Sequence, residues 1–153
     1  MSPVRPGLAR GFTLIELVVT LFLLGLAAAV VAPSLGRSIE VIRSRAEVSG
    51  MAAYLRAARE QAITSGLPLE VRLLPESQTL VITVAGEEAV RSSRGFTTLV
   101  AIQPEPPTAT SIVFHPQGLS SGGLFRIWAP GQRQYLVTVD ALTGRVSYRP
   151  AES

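Results

Sequence analysis

The chain has no cysteine and only one histidine in 153 residues. Without thiols there is no thiol catalysis, no zinc–thiolate site, no disulfide framework and no Cys-linked lipid anchor. The compartment stays open, because an oxidising envelope permits disulfides without requiring them. His115 and the dispersed carboxylates do not spell a metal-ligand set. The sequence also lacks a G-x-S-x-G turn, a Walker motif and a strand-following G-x-G-x-x-G. His115 could be set beside Asp140 and a serine, but with no nucleophile motif it reads as an exposed loop residue before Pro116. No enzymatic activity, catalytic residue, metal or cofactor is expected.

Lysine is absent too: all fourteen basic residues are arginines, against eleven acids. Arg5 and Arg10 precede an apolar run. From Ser34 onward twelve arginines face ten acids, a surplus too small for the clustered stripe that nucleic-acid binding needs.

The chain is 47% hydrophobic, high for a soluble domain, and most of the excess sits in one segment near the start. From Phe12 to Ala32 the only charge is Glu16. As a helix this run is ~30 Å long, enough to cross the hydrocarbon core of a bilayer. Arg5 and Arg10 favour a cytoplasmic leader, with the rest of the chain on the far side. A cleaved secretory signal, with small residues at Ala27-Ala28-Ala29, or a plain anchor would also produce an apolar run. Neither accounts for Glu16, since a carboxylate in the apolar region costs about 2.5–3.5 kcal/mol.

The local motif supplies a reason for that acid. Arg10-Gly11-Phe12-Thr13-Leu14-Ile15-Glu16-Leu17 resembles the type IV prepilin signature. The resemblance implies cleavage by prepilin peptidase between Gly11 and Phe12 and N-methylation of Phe12. Glu16 then stands at the family's glutamate position, the fifth mature residue, one helical turn from the new amine. It can meet the amine of a neighbouring subunit and set two helices in register, so its burial is offset only within an assembly. Pro33 falls where the family carries a helix-kinking proline, consistent with the donor that proline removes.

After Pro33 a helical period resumes. Leu35, Ile39, Ile42 and Ala46 form one stripe, and Val48, Met51, Leu55, Ala58 and Ala62 another. The intervening charges read as a solvated face, with Glu40–Arg43, Arg43–Glu47 and Arg56–Glu60 close enough to pair. Gly66 and Pro68 end the helix. Beyond Leu67 the period becomes strand-like, over 69–74, 79–84, 97–102, 111–115, 124–129, 135–139 and 145–149, with turn residues between. A mobile loop is expected over Gln103–Thr110. Short strands joined by turns predict antiparallel sheet. The fold class is α+β, a long N-terminal helix, first half transmembrane, packed on a C-terminal antiparallel β-sheet domain. The expected organisation is leader 1–11, membrane and assembly helix 12–33, amphipathic continuation 34–66 and periplasmic sheet domain 67–153.

A narrower resemblance follows. Leu55 to Ile63, Gly66-Leu67-Pro68-Leu69, Ile112 to Gly118, Gly122-Gly123 and Thr143-Gly144-Arg145-Val146 resemble the GspH/FimT family of H-type minor pseudopilins and FimT-type minor pilins. This implies a pilin-like subunit of the type II secretion pseudopilus, assembling through its helix to support export of folded proteins. A minor pilin of a type IV pilus, in pilus priming or DNA uptake, is the alternative. A secreted soluble binding domain requires cleavage after the alanines instead. The implied partners are other major and minor pseudopilins or pilins, prepilin peptidase and the inner-membrane assembly platform. The implied location is the inner membrane, single-pass, N-terminus cytoplasmic and sheet domain periplasmic, then the pseudopilus. The DNA-binding subgroup carries Gly-Arg-x-Arg, whereas here Gly144-Arg145-Val146 is followed by Ser147. Nucleic acid is therefore not an expected partner, although Arg126, Arg133, Arg145 and Arg149 could cluster. The glycines after Gln117 read as tight turns, Thr143-Gly144 as a hairpin closure, and Trp128, Tyr135 and Tyr148 as packing or interface aromatics.

Overall fold

The computed structural model describes residues 12–151, apart from the side chains of 31–38. Gly11 and the side chain of Pro33 therefore lie outside the described residues. One helix, α1, spans Leu14–Ser65. The chain divides into two compact units, Met1–Ser38 and Ile39–Ser153.

The second unit holds the C-terminal part of α1 and eight strands, all antiparallel. They are β1 (Leu69–Leu74), β2 (Thr79–Val84), β3 (Val90–Gly95), β4 (Ala101–Glu105), β5 (Ser111–Phe114), β6 (Gly123–Ala129), β7 (Arg133–Val139) and β8 (Val146–Pro150). Two four-stranded sheets result, in the orders β3-β2-β1-β5 and β4-β6-β7-β8. The α+β pilin-like expectation holds.

Period-two alternation puts one face of each sheet into a common core. In the first sheet Leu69, Val71 and Leu73 lie opposite Val84, Ile82 and Leu80, with Phe114 and Ile112 beside Leu69 and Val71. In the second, Phe125, Ile127, Val137, Val139, Val146 and Ile102 take the inner positions. The stripe Val48, Met51, Leu55, Ala58 and Ala62 is fully buried against these, as its spacing predicts. In the other stripe the side chain of Leu35 lies outside the described residues, Ile39 is 49% and Ile42 67% exposed, and Ser44 is buried instead. Gly66, at φ +69°, stops the helix as the sequence implies, its N–H donating to Ala62 O at 3.1 Å.

Two strand expectations need correction. β3 reads VRSSRG and has no apolar alternation; it is an edge strand paired only with β2 across a register shift at Ile82/Thr83. β4 begins later than expected and takes in Gln103, Pro104 and Glu105, the first residues of the predicted loop. Pro104 is tolerated because β4 is also an edge, with only β6 as neighbour. On the open side of β4, Gln78 Oε1 accepts the Ile102 N–H at 2.6 Å, tying the β1–β2 turn to the second sheet.

Candidate functional site

Over its described side chains, residues 12–30, the N-terminal unit is apolar on every side apart from Glu16. Leu14 (81% exposed), Phe22 (70%) and Val30 (73%) stand with Ile15, Leu17, Leu21 and Leu24 around the helix, and none is covered within its unit. A helix without a polar face requires apolar surroundings, either lipid or other helices. Among the described residues no helix is long and apolar enough to cross a membrane; the described side chains of the run stop at Val30, short of the 12–33 span.

Thr13 caps this helix. Its Oγ1 accepts the Glu16 N–H at 3.3 Å, and its carbonyl accepts the Leu17 N–H at 3.2 Å. Thr at the cap and Glu three residues on are the two positions of a capping box. Thr20 Oγ1 donates to Glu16 O at 2.7 Å. The backbone of Glu16 is therefore engaged within the helix start, and its side chain is the one charge on the apolar surface.

In the sheet unit the arginines of α1 do not form the surface pairs expected along the helix. The Arg56 guanidinium donates to Val146 O at 3.1 Å, and Arg59 Nε to Gly118 O at 3.1 Å. Glu47 lies 3.9 Å from Arg94 of β3, and Arg59 is only 3.7 Å from its neighbour Glu60. The glycines do more than turn the chain. Gly118 (φ +86°) and Gly144 (φ +62°) flank the Arg59 side chain. A β-carbon on Gly144 would lie 2.8 Å from Arg59 Nε and against Gly118 O, and one on Gly118 would lie 3.0 Å from an Arg59 terminal nitrogen. Arg59 thus sits in a slot that only two unsubstituted residues leave open. Sequence reasoning found the two turns and missed the slot, because nothing near residue 59 in the chain points to residues 118 and 144.

Thr143-Gly144 closes the β7–β8 hairpin as expected, with Gly144 N–H donating to Asp140 O at 2.8 Å and Asp140 N–H to Arg145 O at 3.0 Å. Asp140 is given over to this turn. Its Oδ1 accepts from Thr143 Oγ1 and Thr143 N, both at 2.8 Å, and from Leu142 N at 3.1 Å. The Thr143 hydroxyl first, then the Thr143 amide, hold the carboxyl below the ordinary aspartate value; burial opposes them, and the Leu142 amide adds the least. A carboxyl depressed in the folded state stabilises above its unfolded pKa and loses that contribution as pH falls through its folded pKa. The melting-temperature gap between wild type and Asp140→Asn is therefore expected to be constant at neutral pH and to close below about pH 4. Thermal melts of both proteins across this range check the effect; a gap independent of pH contradicts it.

The four arginines singled out in the sequence fall in three places. Arg126 and Arg149 both lie beside Leu136, on the outer face of the second sheet and two strands apart. Arg126 is committed to Glu105 at 2.9 Å and Gln134 at 3.1 Å. Arg133 lines a notch at the β6–β7 hairpin with Arg45 and Trp128. Arg145 joins Arg56 and Arg59 in another notch of about 600 Å³, walled by Glu60, Thr143, Gly144 and Val146. His115 is exposed, as expected. Trp128 and Tyr148 are 41% and 45% exposed, while Tyr135 is packed in the core at 7%.

Known proteins share this architecture. The type IV minor pilin FimU of Pseudomonas aeruginosa matches in two crystal forms. One has TM-score 0.62 at 16% identity, over 74% of this chain and 96% of that one; the other has 0.59 at 17%, over 71% and 98%. The minor pseudopilin EpsH of the Vibrio cholerae type 2 secretion system matches with TM-score 0.54 at 15% identity, over 71% and 96%. At such identities these likenesses establish the fold alone. No curated protein matches the chain. The prokaryotic N-terminal methylation motif covers residues 8–32, which marks a prepilin of the inner membrane, and the model of the type II transport protein GspH covers 47–143. The chain belongs to the GspH family, the non-enzymatic minor pseudopilins of type II secretion, whose partners are pseudopilus subunits and whose leader is removed by prepilin peptidase.

Proposed function

We propose that the chain is cut between Gly11 and Phe12, methylated on the Phe12 amine, and held in the inner membrane by residues 12–33. Its N-terminus is cytoplasmic and its sheet domain periplasmic. From there the assembly platform draws it into the pseudopilus beside other major and minor pseudopilins. Glu16 pairs with the Phe12 amine of an adjacent subunit, and Pro33 shapes the helix after the buried stretch. The sheet domain makes the specific contacts. The observation that carries this reading is the methylation motif over 8–32, joined to a helix that is exposed and apolar all round except for one carboxylate. A lone charge in an apolar layer is tolerated where a partner meets it, and filament assembly provides that partner. The mature protein is expected to begin at methylated Phe12 in an intact-mass measurement; a chain starting at Val30 would indicate signal-peptidase cleavage and overturn the proposal.

The sequence alternative, a minor pilin of a type IV pilus, shares the same fold, as the FimU and EpsH matches both show, so the fold does not separate the two. Deleting the gene separates the two. Lost exoprotein release with intact motility and DNA uptake fits secretion, and the converse fits a pilus.

A further inference from the structure

We infer that the notch between α1 and the β7–β8 hairpin is a docking site for an acidic peptide segment of a neighbouring subunit. Three guanidinium groups, Arg56, Arg59 and Arg145, line it, with Glu60 as the only acid among the lining residues. Glu60 offsets no more than one of the three charges, at 3.7 Å from Arg59 and with its side chain 72% exposed. Asp140, the other acid near the hairpin, accepts three hydrogen bonds from its own turn. A surplus of positive charge therefore remains in a concave place.

The arginines are also pre-positioned. Arg56 and Arg59 each spend a hydrogen bond on a backbone carbonyl, and the Gly118–Gly144 slot confines Arg59 further. Fixing the planar fork before binding lowers the ordering cost of bidentate carboxylate recognition. Arg145, on the exposed hairpin, forms no ion pair among the described residues.

The surroundings favour a peptide over a phosphate backbone. Leu142 is 80% exposed at the hairpin tip, and Leu119 is 45% exposed. The two loops are joined by the Ser120 N–H to Ala141 O bond at 3.0 Å, and Ile63 of α1 packs near Gly118. An arginine notch with exposed aliphatic side chains on the adjoining loops suits alternating acidic and apolar residues. A nucleic acid needs a charged track, and the remaining arginines of the second sheet do not extend one: Arg126 is paired with Glu105, Arg133 lines a separate notch, and Arg149 stands beside Leu136 on the outer face, not among the residues that line this notch.

The identity of the partner as a neighbouring subunit rests on the filament reading, but the chemistry of the notch can be tested apart from it. The full chain in detergent micelles is titrated with short poly-L-glutamate and, separately, with oligothymidylate, following the amide resonances of Gly144 and Arg145. Poly-L-glutamate is expected to shift these resonances and to bind more tightly than oligothymidylate. Arg145→Glu should weaken its binding at least about tenfold, Arg145→Lys by only about threefold, and Arg149→Glu hardly at all. Arg145 is exposed and its side chain is not part of the core, so each variant is expected to keep the wild-type melting temperature. Absence of binding, binding indifferent to Arg145→Glu, or preference for oligothymidylate each overturns the inference. Processing at Phe12 is read by mass alone, so either reading can fail while the other stands.

Discussion

Gly144→Ala is expected to destabilise the sheet domain by about 3–5 kcal/mol, while Gly131→Ala costs only about 1–2 kcal/mol. Both glycines have left-handed backbones, φ +62° and +74°, so the conformational penalty on a β-carbon is nearly the same. They differ in the space available. Nothing lies within 4 Å of a β-carbon on Gly131, whereas one on Gly144 meets the Gly118 carbonyl and the Arg59 side chain. The carbonyl is backbone and cannot swing away, so the hairpin must move. Its movement breaks the 3.1 Å bond from Arg59 to Gly118 O, and a hydrogen bond to a charged group is worth about 1.5–3 kcal/mol. At this chain length each kcal/mol lowers the melting temperature by roughly 2–8 °C, so the paired melts should differ by several degrees at least. Equal melting temperatures for the two variants would mean that Arg59 is not held in a slot.

That pair of glycines also marks where sequence reading stops. β1 and β2 are legible to the residue because LEVRLL alternates against the core and TLVITV is a short β-branched run, buried from Leu80 to Val84, with turn residues on both sides. The buried stripe of α1 is legible for the same reason, at spacings of three and four. β3 is not, since an edge strand with one neighbour needs no apolar alternation, and Ser92 and Ser93 carry no strand signal. Pro104 read as a breaker, and only the sheet order reveals that its missing donor faces an unpaired edge. Ile39 and Ile42 have the period of core residues yet stay exposed, because period alone does not say how far the sheets reach along the helix.

The candidate site divides in the same way. The prepilin motif is local and fully readable from Arg10 to Leu17. The arginine notch is not local. Arg56 and Glu60 have the spacing of a helix-surface pair, yet Arg56 finds its partner at Val146 and Arg59 at Gly118. One clue to such long-range use was present in the helix itself. Gly50 lies mid-helix, where glycine costs roughly 1 kcal/mol relative to alanine. The structure supplies its reason: Arg94 of β3 crosses the helix there, and a β-carbon on Gly50 would collide with its guanidinium, which also lies 5.4 Å from the centre of the Phe96 ring.

Glu16→Gln is expected to leave the subunit abundant in the membrane while its share in the assembled filament falls between ten- and a hundredfold. The range follows from losing one charge-assisted hydrogen bond, about 1.5–3 kcal/mol, at about 1.4 kcal/mol per factor of ten. The substitution separates two duties of this residue. The helix start uses the Glu16 backbone: its N–H donates to Thr13 Oγ1 and its carbonyl accepts from Thr20 Oγ1. Glutamine serves the third helical position as well as glutamate does, so the cap survives the change. Thr13→Val is the complementary variant, removing the cap acceptor and leaving the carboxylate. It is expected to cost only about 1 kcal/mol of local helix stability and a few-fold in assembly. Immunoblots of sheared filament and membrane fractions from the same cells measure both quantities together. A Thr13→Val subunit as poorly incorporated as Glu16→Gln would assign the defect to a frayed helix start. Normal incorporation of Glu16→Gln would remove the carboxylate from the assembly mechanism, and with it the physical reason for a charge in the apolar run.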